Sequence, residues 1–157
     1  MKKIIMFGGI IVLIFGLLAL VTTMKQSEQA AGNQFGKERI HPETAKLMDD
    51  PNYQNVILPE ELAETIENGE EATVYFYSST CPYCKEATPR LVPLTEELGV
   101  DLVQFNLLEF DDGWNDYNIE STPTIVHYSN GEEVERIEGS ASDEEFTAFF
   151  EEHVINQ

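Results

Sequence analysis

The chain has 157 residues, 42% of them hydrophobic, which is enough for one compact domain with an appendage. Aspartate and glutamate number 29 against nine lysines and arginines, a formal net charge of −20. Binding phosphates requires a basic surface, so this balance excludes nucleic acid as a partner and makes an anionic membrane surface repellent.

In chain order, the first feature is an uncharged run of 21 residues, 4–24, preceded by Lys2 and Lys3. It is long enough to span a bilayer as a helix. It exceeds the apolar stretch of a cleaved secretory signal, and no small-residue cleavage pattern closes it at Leu20, Val21, Thr22, Thr23 and Met24. Residues 1–24 are therefore expected to be an uncleaved, single-pass anchor in the cell membrane. Lys2, Lys3 and the α-amino group outweigh Lys25, which places the N-terminus in the cytoplasm and the C-terminal domain outside it. Residues 25–50 are polar, without sustained apolar period, and are expected to form a tether, with a short helix near 42–48.

Residues 51–157 have the pattern of a folded domain. A helix is predicted over 59–68, with Pro59 suited to its first turn and Gly69 to its stop. Residues 73–77 are β-branched and aromatic and predict a buried strand. A helix follows over 81–98, expected to bend or break near Pro89 and Pro93 and to end at Gly99. A second strand is expected over 101–107, a short helix over 112–118 and a third strand over 124–128. Asn130 and Gly131 then turn the chain into a fourth strand over 133–138. Ser142 and Glu145 form a capping box that opens a final amphipathic helix carrying Phe146, Phe149, Phe150 and Val154. The order α, β, α, β, α, β, β, α implies an α/β fold.

The two cysteines of the chain, Cys81 and Cys84, stand where a strand gives way to a helix. A C-x-x-C in that setting points to redox chemistry, because free N–H groups and the positive end of the helix dipole stabilise a thiolate on the first cysteine. The second lies one turn on, close enough to attack a mixed disulfide on the first. Other uses of the pair carry less weight. A structural disulfide would close a loop too short to gain much from loop entropy. A zinc site wants four ligands, and His41, His127 and His153 are scattered along the chain. Metal is therefore not expected, and inert free thiols are ill suited to an oxidising compartment.

Residues from about 59 to 154 resemble the thioredoxin superfamily. Cys81, Pro82, Tyr83 and Cys84 have the form of its active-site motif, and Pro89 falls where the family bends the active-site helix. Thr122, Pro123 and Thr124 precede a strand as the family's cis-proline does, and Asn130, Gly131 and Glu132 with the last helix are similar to its closing hairpin and helix. The resemblance implies a thioredoxin-like fold with a central mixed sheet flanked by helices. It also implies Cys81 as nucleophile, Cys84 as resolving thiol, and Thr122 and Pro123 as the place where an extended client peptide pairs. Electron transfer in this family requires no bound cofactor.

Two departures stand out. Thr80 occupies the place of the family's tryptophan before the first cysteine, and Tyr75 that of its buried acid; Glu86 and Glu109 are candidates to stand in for the acid. Lys85 is expected to be a solvated lysine, Trp114 an aromatic anchor for a short helix, and His127 a packed or edge residue. The expected function is thiol–disulfide exchange beyond the membrane with client proteins that bear thiols or disulfides, or with a membrane redox partner. The contrasting expectation is a tethered accessory or peptide-binding module of the same fold, with its disulfide structural.

Overall fold

The computed structural model describes residues 33–156. The expected anchor over residues 1–24 and the first part of the expected tether lie outside the described residues. Among the described residues no helix is long and apolar enough to cross a membrane.

The described part of the expected tether departs from that expectation. Phe35 and Ile40 are each 3% exposed, and Thr44, in the short helix α1 (Pro42–Ala45), is 1% exposed. These residues dock singly at irregular spacing, which is why no helical or strand period betrays them. The segment is also held by polar contacts: Gln34 donates to the Tyr53 carbonyl at 2.9 Å, and the His41 N–H donates to Glu109 at 2.8 Å. A 3-10 turn, Pro51–Tyr53, then leads into the body of the fold.

Helix α2 (Pro59–Glu67) starts on a proline whose missing N–H costs nothing there, with Glu60 and Glu61 beside the positive end of the dipole. It buries Leu62 completely. Strand β1 (Ala72–Tyr77) is buried on both faces. Tyr75 and Tyr77 join one apolar cluster with Leu91, Phe146 and Phe150, whereas Val74 and Phe76 join a second with Leu62, Phe105 and Val126. Strand alternation thus divides one aromatic run between two cores.

Helix α3 (Pro82–Leu98) is continuous through Pro89 and Pro93, so of the expected bend or break the break does not occur. Both prolines are exposed, so the carbonyls of Lys85 and Pro89 that lose their donors lie toward solvent. The opposite face, Cys84, Ala87, Thr88, Leu91 and Thr95, is buried. Gly99 ends the helix at φ +72°, its N–H and that of Val100 closing on Glu96 and Thr95.

Strand β2 (Leu102–Asn106) pairs in parallel with β1, Phe76 opposite Phe105. The turn α4 (Gly113–Asp116) is followed by β3 (Thr124–Ser129), antiparallel to β1, and β4 (Glu132–Glu138), antiparallel to β3. Asn130 and Gly131, at φ +54° and +83°, give the two-residue turn that the sequence predicts. The sheet order is β2-β1-β3-β4. β4 is mostly exposed and carries Glu132, Glu133, Glu135 and Glu138, charges that discourage pairing at that edge. Helix α5 (Asp143–Phe150) opens on the expected capping box and continues as a π turn, Glu151–Ile155. The C-terminal end of β1 therefore delivers the chain directly to the start of α3, where the cysteines lie.

Candidate active site

Cys81 is the N-cap of α3, with extended backbone (φ −74°, ψ 120°), and Pro82 takes the first helical position. The cap is made by sulfur: the Cys84 N–H donates to Cys81 Sγ at 3.3 Å. This is the helix-start environment expected from the sequence, in which an orphan N–H of the first turn finds a thiolate. The Cys81 thiol donates to the Thr122 carbonyl at 3.3 Å, so the segment before β3 comes directly onto the reactive sulfur. The Thr122–Pro123 peptide bond is cis, as the resemblance implies. Both cysteines are free thiols in this structure, Cys81 part-exposed and Cys84 buried.

Electrostatics separates the two thiols. Burial, the largest single influence on Cys81, would push its pKa up. Hydrogen bonds from the Cys84 thiol, from the Thr122 side chain and from the N–H groups of Cys84 and Tyr83 together outweigh it and leave Cys81 below the ordinary thiol range. Cys84 is pushed up to about 12, chiefly by burial and then by its hydrogen bond to Cys81. At neutral pH the arrangement holds one accessible, thiolate-prone sulfur over one that keeps its proton. That is the asymmetry thiol–disulfide exchange needs, since only a thiolate attacks.

Beneath the sulfurs, β1 presents Tyr75 rather than a carboxylate. Its hydroxyl lies 2.9 Å from Thr88 Oγ1, and Thr88 in turn donates to the Cys84 carbonyl at 2.7 Å. Burial holds the Tyr75 hydroxyl well above its usual pKa, so it is a neutral group. Neither candidate acid replaces it. Glu86 is exposed, and Glu109, although buried, is occupied by the His41 N–H and by Lys37 at 3.8 Å. No carboxylate is among the leading influences on either sulfur.

Lys85 is exposed, as expected, and its ammonium pairs at 3.2 Å with Glu43 of α1. Trp114 is half-buried against the second apolar cluster. His127 is 1% exposed and bonds Thr73 through Nδ1 at 2.9 Å. Among the described residues no group of three or more histidines, cysteines or acids is placed to hold a metal ion.

Sequence reasoning missed the contribution of the segment before residue 51. Thr44 Oγ1 is 3.0 Å from Ser79 Oγ, and Asn106 Nδ2 donates to Ser79 at 2.9 Å and to Thr44 at 3.4 Å. No local pattern marks these three residues, because they are brought together from three separate stretches of chain. Around the dithiol the surface carries the exposed ring of Tyr83, 64% accessible. A cleft of about 550 Å³ lies at the other end of β1, lined by Ala72, Thr73 and His127 among others.

Comparison with known proteins agrees with this geometry. A family model described as Thioredoxin matches residues 54–152. "Thioredoxin Y, chloroplastic" of Oryza sativa subsp. japonica is 31% identical over 80 residues, 49% of this chain and 48% of its own length. "Thioredoxin H2" of Arabidopsis thaliana is 30% identical over 82 residues, 52% of this chain and 62% of its own length. The chain thus spans about half to three fifths of these curated relatives. Among solved structures, Fasciola hepatica thioredoxin superposes with TM-score 0.56 at 21% identity, covering 64% of this chain and 99% of that one. Thioredoxin NaTrxh from Nicotiana alata gives 0.54 at 21% identity, covering 64% and 94%. At these identities the structural likeness speaks for the fold, while the family match extends over most of the described residues and includes both cysteines, so this chain belongs to the thioredoxin family.

Proposed function

We propose that the protein is a membrane-anchored thiol–disulfide oxidoreductase that exchanges disulfides with client proteins outside the cytosol. The observation that carries the chemistry is the unequal dithiol at the start of α3: Cys81 part-exposed and below the ordinary thiol range, Cys84 buried and held protonated. The anchored, extracytoplasmic setting is supported by the apolar run of residues 4–24 behind Lys2 and Lys3.

In the reductive direction the Cys81 thiolate attacks one sulfur of a client disulfide. That S–S bond breaks, the departing client sulfur takes up a proton, and a mixed disulfide joins Cys81 to the client. Cys84 then loses its proton and attacks Cys81 Sγ. The mixed disulfide breaks, the second client thiol leaves, and the two electrons given to the client are balanced by a Cys81–Cys84 disulfide. Oxidation of a client dithiol is the same sequence reversed, and the direction follows the potential of the pair relative to its surroundings. An extended client main chain pairs with Thr122, whose carbonyl already reaches the reactive sulfur, while Pro123 offers no competing N–H. The part-exposed sulfur and the exposed Tyr83 ring beside it suit a macromolecular client better than an enclosed small molecule.

The test is insulin reduction by the full-length chain with a small dithiol as electron donor. Turnover above the donor alone, lost in both Cys81→Ala and Cys84→Ala, is the expected result. Equal rates with and without the chain, together with no oxidation of a reduced test peptide, would leave a peptide-binding module with a structural disulfide.

A further inference from the structure

The reactive loop is braced by residues that lie well before the family-matched region. We propose that Thr44 is a positioning residue for the dithiol, fixing the loop 78–80 through its hydrogen bonds with Ser79 and Asn106. The proposal rests on the exchange reading above and adds a segment that the family match, which begins at residue 54, does not include.

Thr44, Ser79 and Asn106 are 1%, 1% and 0% exposed, so water cannot replace a lost partner. Their polar atoms close a ring: Thr44 Oγ1 with Ser79 Oγ at 3.0 Å, Asn106 Nδ2 with Ser79 Oγ at 2.9 Å and with Thr44 Oγ1 at 3.4 Å. Asn106 Oδ1 is also committed, accepting from the Leu108 N–H at 3.1 Å. A buried ring in which every member is satisfied fixes one arrangement of its chains, and deleting one hydroxyl leaves donors without acceptors.

The ring acts next to both sulfurs. Ser79 is flanked by Ser78, whose carbonyl accepts the Cys81 N–H at 3.0 Å and whose backbone also hydrogen-bonds the Cys84 sulfur. Ser78 Oγ and Thr80 Oγ1, 3.0 Å apart, stiffen the same loop. A displacement at Ser79 therefore moves Cys81 relative to the N–H groups of Tyr83 and Cys84 and relative to Thr122. Glu43 strengthens the attachment by pairing with Lys85, on the first turn of α3. The flanks of Thr44 are secured as well, by His41 and Lys37 on Glu109. The other titratable groups that bear on the sulfurs are Tyr75 and Tyr77 from β1 and Tyr53 from the 3-10 turn; Tyr53 and Tyr75 hydrogen-bond Thr88, and Tyr77 hydrogen-bonds Asn106 of the ring.

The experiment is the pH profile of iodoacetamide alkylation at Cys81 in the reduced full-length chain, with thermal unfolding measured alongside. Thr44→Val keeps the shape and removes the hydroxyl. It is expected to move the alkylation inflection upward and slow the reaction at neutral pH about threefold, the size of one modest hydrogen-bond contribution. Thr44→Ser restores the hydroxyl and is expected to restore the profile. Should Thr44→Val fail to fold, Ser79→Ala is read by the same criterion. A wild-type profile in whichever of these variants folds overturns the proposal, as does a shift that Thr44→Ser fails to correct. Failure of the wild-type chain to reduce insulin would remove the exchange reading while this comparison of thiol reactivity still stands.

Discussion

At the scale of single residues, the site rests on a division of labour between two thiols three positions apart. Cys81 sits below the ordinary thiol range because hydrogen bonds to its sulfur together outweigh burial, and Cys84 is raised to about 12 because burial dominates. In the reduced protein Cys81 should therefore alkylate at neutral pH while Cys84 stays unmodified, as peptide mass spectrometry after a short iodoacetamide pulse would show. Cys84 also makes stability depend on pH. Its folded pKa is raised above the unfolded value, so its contribution is present in full below the ordinary thiol range and is lost as pH rises toward about 12. Urea midpoints of the reduced chain should fall between about pH 9 and 10, below the range where buried tyrosines add to the loss, and Cys84→Ala should flatten that part of the curve. The cysteines were legible in the sequence because their spacing at a strand-to-helix junction marks them, and Thr122 and Pro123 through the resemblance to thioredoxins. Thr44 and Asn106 were not, since each is an ordinary polar residue until the chain brings them to Ser79.

Among the elements, agreement is closest where a rule is local. The Asn130-Gly131 turn and the Ser142–Glu145 capping box form as their chemistry dictates. Ser142→Ala removes the bond to the Glu145 N–H and should cost about 1 kcal/mol in denaturant unfolding. Where the outcome depends on what an element faces, sequence reasoning goes astray. Pro89 and Pro93 predict a bend or an interruption, and the interruption does not occur: both lie on the solvent side of α3, and the packed face on the other side carries the helix through. Gly113 is a case that no pattern marks: an added Cβ there would meet Phe105 at 2.6 Å and Leu107 at 2.9 Å. Gly113→Ala should destabilise the protein by roughly 1–3 kcal/mol, the usual cost of overpacking, seen as a lower urea midpoint at unchanged slope.

For the whole molecule, the α/β order was legible because strand and helix periods alternate cleanly beyond residue 59, and the mixed sheet followed only from the resemblance to thioredoxins. The boundary of the folded unit was not legible. The polar composition of residues 25–50 suggests a tether, but a few isolated side chains, Phe35 and Ile40 first among them, bind residues 33–50 to the domain. The membrane setting is testable at this scale. Protease added to intact cells or wall-stripped protoplasts should digest the domain while the protein sediments with membranes, and a freely released form beginning near residue 30 would refute the anchor.

The exchange chemistry itself is tested most directly by reacting oxidised insulin with the reduced Cys84→Ala chain and examining the product by intact mass before and after a reductant. Attack by Cys81 without a resolving thiol predicts a stable insulin adduct on Cys81 that the reductant releases and that Cys81→Ala does not form. No adduct, or equal adducts on both single variants, would contradict the assignment of Cys81 as the attacking sulfur.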